Sequence, residues 1–360
     1  MAVAAAKRPR LQAIEGIRGL AAVGIVVLHA WIVSGKPTDL LPASVWGPLR
    51  MAVPLFFVLS AYFAAGPWLR AALDGGERPS ARAAVSKRFI RIVPLFWVTG
   101  LAAWAVLAGT GSGAEPASAG EAVAYFTLLH NWVPAGAAGV LNPPSWTLPI
   151  ELSFALALPL IGWLLLSAGT RTRAFAVAAA LWFGGVAYCV WFEAEQPGTV
   201  WARTLMLMLP AFAAGIGAAV LMHGRTLARG PALALQLGGF AGFIAYLAGP
   251  LGHLQHDLGY RDLIPGVCFA AIIAGAAAHG PRVLSGAWAD WLGGRSFGLY
   301  LWHYPVLFLL TEHLGWPGQF WATAIALTAG LALAELTWRY VEQPLATRGR
   351  SASPPAVGPT

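Results

Sequence analysis

Apolar residues dominate long blocks of the chain, and short polar, Pro-rich or Arg-rich segments separate the blocks. A helix needs about 20 predominantly apolar residues to cross the hydrocarbon core of a bilayer. The blocks have this length, and the alternating pattern of a membrane β-barrel is absent from them. The pattern predicts ten membrane-spanning helices, at about 14–34, 51–69, 89–109, 146–167, 174–193, 201–221, 232–250, 262–279, 291–311 and 319–340.

Composition indicates the same class. Of 360 residues, 58% are hydrophobic and only 11% are charged, whereas soluble domains carry about 25% charged residues. The predicted fold class is therefore an all-α, polytopic membrane protein. The N-terminal "MAVAAAKRPRLQ" is too short and too charged for a separate domain, and the first apolar block lacks the features of a cleaved signal peptide.

Lysine and arginine predict the orientation of the spans, because cytoplasmic loops are enriched in them. With the N-terminus inside, 19 of the 23 basic residues lie on the cytoplasmic side. Ten spans place both termini in the cytoplasm, and removing one span would invert every later loop. The net charge of +8 is therefore mostly a topology signal, and nucleic-acid binding explains it less well.

The first span carries two polar groups on one face. Arg18 and His29 lie eleven positions apart, which at about 100° per residue directs both side chains the same way. The rise between them is roughly 16 Å, so His29 lies near mid-membrane when Arg18 lies at the inner headgroups. An arginine at the mouth suits an anionic group, and a histidine at depth suits proton transfer. Alternatively, Arg18 is a positive-inside anchor and His29 hydrogen-bonds a neighbouring helix.

Two further segments bring charge to the membrane surfaces. Arg88 and Arg91 in "SKRFIRIVPLFW" lie three positions apart on one helical face, where two guanidinium groups suit phosphates; a plain basic anchor is the alternative. Glu151 in "NPPSWTLPIELSF" enters the fourth span and requires a cationic or proton-sharing partner, for which His29 is a candidate. Its alternative is a helix-capping role at the interface.

The segment "GGRSFGLYLWHYPVLFLL" places polar residues at the front of the ninth span. Tyr300 and His303 lie three positions apart and share a helical face. Ser145 and Trp146, just before the fourth span, follow a Pro-Pro pair that predicts an extended approach to the helix. These four side chains are candidates for contact with a substrate.

In order along the chain, these segments resemble the acyltransferase 3 family of membrane O-acyltransferases. Arg18 and His29 match its Arg and His with ten residues between them, and "RFIR" matches its Arg-x-x-Arg. The other matches are "VPLFFVLSAYF", "SWTLPIELSF", "GGRSFGLYLWHYPV" and "YVEQP". Ala61 and Gln343 depart from the residues that the family usually has, which bears on the subfamily more than on the family.

The resemblance implies one membrane acyltransferase domain over residues 1–345, followed by a disordered cytoplasmic tail over 346–360. It implies an enzyme of the bacterial plasma membrane that transfers an acyl group from acyl-CoA to a hydroxyl of a carbohydrate, cell-surface glycan or sugar-bearing metabolite. Acetyl-CoA is the first candidate donor. No tightly bound cofactor, metal or nucleic acid is expected, and the oligomeric state stays open.

The resemblance also suggests roles for the residues. His29 is the candidate catalytic base or transient acyl carrier, and Glu151 orients it or balances its charge. Arg18, Arg88 and Arg91 are the candidate ligands of the CoA phosphates. The substrate-binding candidates are Ser145, Trp146, Tyr300 and His303.

Two other classes of function fit a polytopic protein. A transporter or flippase would use the buried His and Glu as a proton relay, although neither a broken-helix pair nor repeat symmetry supports this reading. A structural or sensing membrane protein would need no CoA binding at Arg88 and Arg91. The identity of the acceptor and the length of the acyl chain stay open from the sequence.

Overall fold

A computed structural model describes residues 9–38, 41–112, 116, 118–133, 141–195, 203–249 and 263–351. Within these residues the chain forms helices and no β-strand, which confirms the predicted all-α class. The ten long helices are α1 (Pro9–Val33), α2 (Ala52–Leu73), α3 (Ala81–Leu107), α4 (Thr147–Ala168), α5 (Arg171–Glu195), α6 (Leu205–Met222), α7 (Arg229–Ala248), α8 (Leu263–Ala278), α9 (Ala287–Leu309) and α10 (Gln319–Thr337).

Each predicted span overlaps one of these helices. Eight of the ten are long and apolar enough to cross a membrane, which confirms a polytopic membrane protein. The other two are α8, which has only 16 residues, and α9, which carries Asp290, Arg295 and His303. The number of ten spans and the cytoplasmic position of both termini stay predictions.

Shorter elements connect the long helices. They are Ala43–Trp46, Gly47–Met51, Ala119–Phe126, His130–Trp132, Pro143–Trp146, Arg282–Leu284, the π-helical turns Leu310–Leu314 and Trp338–Glu342, and Gln343–Ser351. The last of these crosses the domain boundary predicted at residue 345, and residues 352–360 lie outside the described part. The boundary and the disordered tail stay predictions.

Helices α1 and α9 run parallel and in close contact, because Arg18 contacts Gly293 and Ser296 while His29 contacts His303. Gly293 allows this approach, since a Cβ atom at that position would lie 2.5 Å from the carbonyl oxygen of Glu15. Parallel packing is what the first and ninth spans require when successive spans alternate in direction. The pairing therefore brings two distant segments of the sequence to one seam.

Two packed regions flank this seam. The larger joins α2, α4, α5, α6 and α8, with Phe57, Phe154 and Phe212 stacked at its centre. The other joins α1, α3 and α9 to the segment before α4. That segment enters the bundle: the amide of Asn142 donates to the carbonyl oxygen of Leu301 over 2.9 Å.

Candidate functional site

His29 and His303 form a hydrogen-bonded pair between α1 and α9. Nδ1 of His303 lies 3.2 Å from the carbonyl oxygen of Leu299, and a carbonyl only accepts, so this nitrogen carries the proton. His303 is fully buried, where an unpaired charge is costly, and its ring is therefore neutral. Its Nε2 accepts a hydrogen bond from Nδ1 of His29 over 2.8 Å. In its neutral form, His29 consequently keeps an unprotonated Nε2.

The rings of the pair are held on both sides. The rings of His29 and His303 are nearly coplanar, with an interplanar angle of 8° and centroids 5.0 Å apart, as an edge-to-edge hydrogen bond of 2.8 Å requires. Tyr304 lies edge-on at 5.1 Å from His29. Such contacts fix the orientation of His29 in the way that a second residue orients a catalytic histidine. This arrangement presents a neutral base with a defined tautomer.

Glu151 is not the partner of His29, contrary to the expectation from the sequence. Its Oε2 lies 2.9 Å from Nη1 of Arg88 and accepts a hydrogen bond from the Ser60 hydroxyl over 2.8 Å. Arg88 also donates to Ser60 Oγ over 2.5 Å and to the Ser60 carbonyl oxygen over 3.0 Å. Glu151 pairs with Arg88 because the Arg88 guanidinium reaches α2 and α4 and neutralises the carboxylate there.

Arg18 is fixed at the beginning of the seam. Its Nε lies 3.0 Å from both the Gly293 carbonyl oxygen and Ser296 Oγ, its Nη2 also donates to the Gly293 carbonyl, and Nη2 lies 2.9 Å from Glu15. Only about a sixth of the side chain is exposed (17%). Arg18 is thus oriented by α9, and its Nη1 has no partner among the described residues.

A cavity of about 140 Å³ brings the predicted arginines and Glu151 together. One wall is polar and the rest is apolar and aromatic. Its lining residues are Arg18, Val53, Phe56, Phe57, Leu59, Ser60, Phe63, Arg88, Arg91, Ile92, Thr147, Leu148, Glu151, Ser296, Phe297 and Tyr300. A cationic rim with an apolar interior suits an elongated ligand with an anionic head and a neutral arm.

Arg91 differs from the other two arginines. It is exposed at the cavity rim and forms no ion pair or hydrogen bond of its side chain within the described residues. Arg18 and Arg88, in contrast, are each held by a carboxylate. Of the three, Arg91 has the most hydrogen-bonding capacity left for a ligand.

Tyr300 lies between the cavity and the histidine pair. It lines the cavity, and its ring centroid is 6.1 Å from that of His303. The Tyr300 hydroxyl donates to the Pro144 carbonyl oxygen over 2.6 Å, and it is 3.1 Å from Thr147 Oγ1. This predicted substrate residue is therefore also the link between α9 and the segment before α4.

The two other predicted substrate residues lie in the Pro143–Trp146 turn. Ser145 is fully buried, whereas Trp146 is partly exposed. Next to this turn, His130 stacks with Tyr125 at 5.1 Å, and burial lowers the pKa of His130 to about 4. This outer polar cluster is distinct from the histidine pair.

Sequence reasoning missed Ser60 and Glu15 as partners of the arginines, and it missed the pairing of His29 with His303. Ser60 lies in "VPLFFVLSAYF", a segment that resembles the family pattern, so the signal was present in the sequence. Glu15 lies three residues before Arg18, a spacing typical of helical ion pairs. The histidine pairing had no local signal, because it depends on the register between α1 and α9.

Comparison with known families identifies the family of the chain. A family described as an acyltransferase domain matches residues 11–339. The chain belongs to the acyltransferase 3 family. The family match confirms the type of enzyme that the sequence motifs suggested. No solved structure matches the chain.

The acyltransferase is similar to named proteins at low identity. A putative peptidoglycan O-acetyltransferase, YrhL of Bacillus subtilis, is 38% identical over 86 residues, which are 22% of this chain and 13% of that protein. The peptidoglycan O-acetyltransferase OatA of Listeria monocytogenes is 34% identical over 87 residues, 24% of this chain and 14% of that protein. The chain thus matches only about one seventh of the length of these two relatives.

A third relative is similar over nearly its whole length. The acyltransferase MdmB of Streptomyces mycarofaciens is 28% identical over 365 aligned residues, covering 90% of this chain and 87% of that protein. The match therefore relates most of the chain, and not one segment, to a named acyltransferase.

Proposed function

We propose that this protein is a membrane O-acyltransferase that moves an acyl group, acetyl or another short chain, from acyl-CoA to a hydroxyl of a carbohydrate, cell-surface glycan or sugar-bearing metabolite. The observation that carries the proposal is the hydrogen bond of 2.8 Å between His29 and His303. It leaves the second nitrogen of His29 as a base in a membrane-buried seam. The names of the relatives, two peptidoglycan O-acetyltransferases and an acyltransferase, support the same chemistry.

In this proposal His29 acts on the acceptor hydroxyl. Nε2 of His29 takes the hydroxyl proton while the oxygen attacks the thioester carbonyl carbon. The new C–O bond forms, the C–S bond breaks, and CoA leaves as a thiol after the proton returns to sulfur. His303 keeps Nδ1 of His29 protonated throughout. A positioned general base contributes about 10²–10⁴-fold to rate.

The cavity would hold the acyl donor. The CoA phosphates would contact Arg91 at the rim and Arg18 behind it, because guanidinium groups bind phosphate oxygens in pairs. Arg88 is already engaged by Glu151 and Ser60, so its role is to hold that carboxylate and shape the wall. Glu151 therefore balances the charge of Arg88 and not that of His29.

The thioester would pass Tyr300 to reach the histidine pair. Tyr300 lines the cavity on one side and faces His303 on the other. The acceptor would come from the opposite side, where Ser145 and Trp146 lie. The proposed location is the plasma membrane of a bacterium, with acyl-CoA supplied from the cytoplasm.

The test is acetyl transfer by the purified protein in detergent, measured with radiolabelled acetyl-CoA as hydrolysis or transfer. His29→Ala is expected to lower turnover at least about 100-fold while yield and thermal unfolding stay unchanged. The matched control is His279→Ala, an exposed histidine outside the seam. Near-normal turnover of His29→Ala would refute the catalytic assignment, and a wild-type protein that never consumes acetyl-CoA would favour a transporter.

A further inference from the structure

Arg203 is a partly buried arginine that has no carboxylate partner in the part of the chain that the structure describes. It lies directly before α6, on the side that the loop charges assign to the exterior. Its guanidinium lies 5.5 Å from the centre of the Trp146 ring, and it forms no ion pair or side-chain hydrogen bond within the described residues.

Three other partly buried arginines of the bundle are neutralised by the chain itself. Each lies within 3 Å of a carboxylate, and the pairs are Arg18 with Glu15, Arg88 with Glu151, and Arg295 with Glu335. A buried charge without a partner is unfavourable, and folded proteins compensate it. Since no carboxylate among the described residues compensates Arg203, its position favours a bound anion.

Hydrogen bonds within the chain hold the Arg203 backbone in place beside Trp146. The side-chain amide of Asn131 donates to the carbonyl oxygens of both Trp146 and Arg203, each over 2.8 Å. Asn131 is fully buried, so this clamp fixes the two backbones relative to each other. The Arg203 guanidinium lies over the indole face of Trp146 at cation–π distance, and its planar group can offer two parallel hydrogen bonds to an anion.

The site adjoins the reaction seam. Trp146 ends the turn that carries Ser145, and the Pro144 carbonyl in that turn accepts the hydrogen bond of Tyr300. Tyr300 in turn faces His303. A ligand held at Arg203 and Trp146 would therefore lie on the exterior side of the path that leads to His29.

We propose that the acceptor of this acyltransferase is an anionic saccharide, and that Arg203, stacked on Trp146, binds its carboxylate or phosphate. The proposal rests on the proposed acyl transfer and adds the charge of the acceptor. Carboxylate and phosphate share the recognition chemistry, because both accept two parallel hydrogen bonds from a guanidinium group. Arg203 is thus a determinant of acceptor specificity and takes no part in the bond-making step.

Three matched sugars test the proposal with purified protein in detergent and radiolabelled acetyl-CoA. They are methyl glucoside, methyl glucuronide and glucose 1-phosphate, which present a neutral, a carboxylate and a phosphate group. The wild type is expected to acetylate at least one charged sugar with a kcat/KM about tenfold above that of the neutral sugar. The better of the two charged sugars identifies the anionic group. A wild type that turns over acetyl-CoA but treats all three sugars alike overturns the proposal.

Variants separate recognition from a structural role. Arg203→Gln is expected to lower kcat/KM for the charged sugar about tenfold more than for the neutral one, and Arg203→Lys to keep part of the preference. The matched control is Lys36→Gln, which removes an exposed charge predicted on the same membrane side. Equal losses for all sugars in Arg203→Gln would refute the assignment. A wild type that neither hydrolyses acetyl-CoA nor transfers its acetyl group would instead refute the proposed function.

Discussion

The cavity and the histidine pair, which lie in one bundle, differ in how they carry charge. The cavity concentrates formal charges and neutralises them in place, as Arg88 and Glu151 do at 2.9 Å. The histidine pair contains two titratable rings but no formal charge, because each proton position is set by the next acceptor. Only about 17% of the Arg88 side chain is exposed, so both regions operate largely away from water.

In the proposed function, this difference would give the two regions different roles. Paired charges keep their positions while a charged ligand approaches, so the cavity would bind the donor. A neutral ring keeps one nitrogen available as a base, so the histidine pair would serve proton transfer. Variants that remove one member of each region should therefore fail in different ways.

The largest effect is expected from Arg88→Ala, which leaves the Glu151 carboxylate buried without a cation. Breaking a buried ion pair in this way costs about 3–5 kcal/mol of folding free energy. Thermal unfolding in detergent measures it. The double variant Arg88→Ala/Glu151→Ala should recover part of the loss, and a double variant that simply adds two losses would contradict the pairing.

A smaller effect, on rate, is expected when His303 is replaced. His303→Phe removes the acceptor for Nδ1 of His29, and kcat should fall about 10–100-fold, as when the residue that orients a functional histidine is lost. His303→Gln offers a carbonyl oxygen in place of Nε2 and should restore part of the rate. Steady-state kinetics with acetyl-CoA measure both. Equal activity of the Phe variant and the wild type would show that the pair is only structural.

Arg91→Ala should change binding of the acyl donor. A charge-assisted hydrogen bond contributes about 1.5–3 kcal/mol, so KM for acetyl-CoA is expected to rise about tenfold with little change in kcat. Arg82→Ala on the same helix is the matched control, since Arg82 is exposed and does not line the cavity. If both variants raise KM equally, general surface charge explains the effect and Arg91 has no specific role.

The last effect is a pH dependence of stability at His130. Burial lowers its pKa to about 4 from about 6.5 in the unfolded chain, so between these values the unfolded state binds more protons. Stability should fall as the pH drops from about 6.5 to about 4, by about 2–3 kcal/mol. The melting temperature of His130→Phe should decline less over this range than that of the wild type. Parallel declines would argue against this assignment.

Much of the helical framework follows from the sequence, because apolar block length is a local signal. The shared face of Arg18 and His29 also follows, since both lie in one continuous helix, α1. Their partners do not follow in the same way. His303 meets His29 through the register of α1 against α9, and no local pattern encodes that register.

Glu151 shows why the candidate site was only partly predictable. A buried carboxylate requires a cation or a proton, and the sequence offers both a histidine and several arginines. The choice of Arg88 depends on how α2, α3 and α4 pack around Ser60. Arg203 was predictable only as an exterior charge, because its pairing with Trp146 joins two segments that are distant in the chain.

The seam between α1 and α9 has a consequence for how the enzyme is made. His29 and His303 are 274 residues apart in the chain, and synthesis at about 5–20 residues per second separates them by roughly 14–55 s. During that interval the first helix enters the membrane without the ring that sets its tautomer. Chains that stop early, before the ninth helix is inserted, therefore carry an incomplete base, and acyl transfer begins only after most of the bundle has assembled.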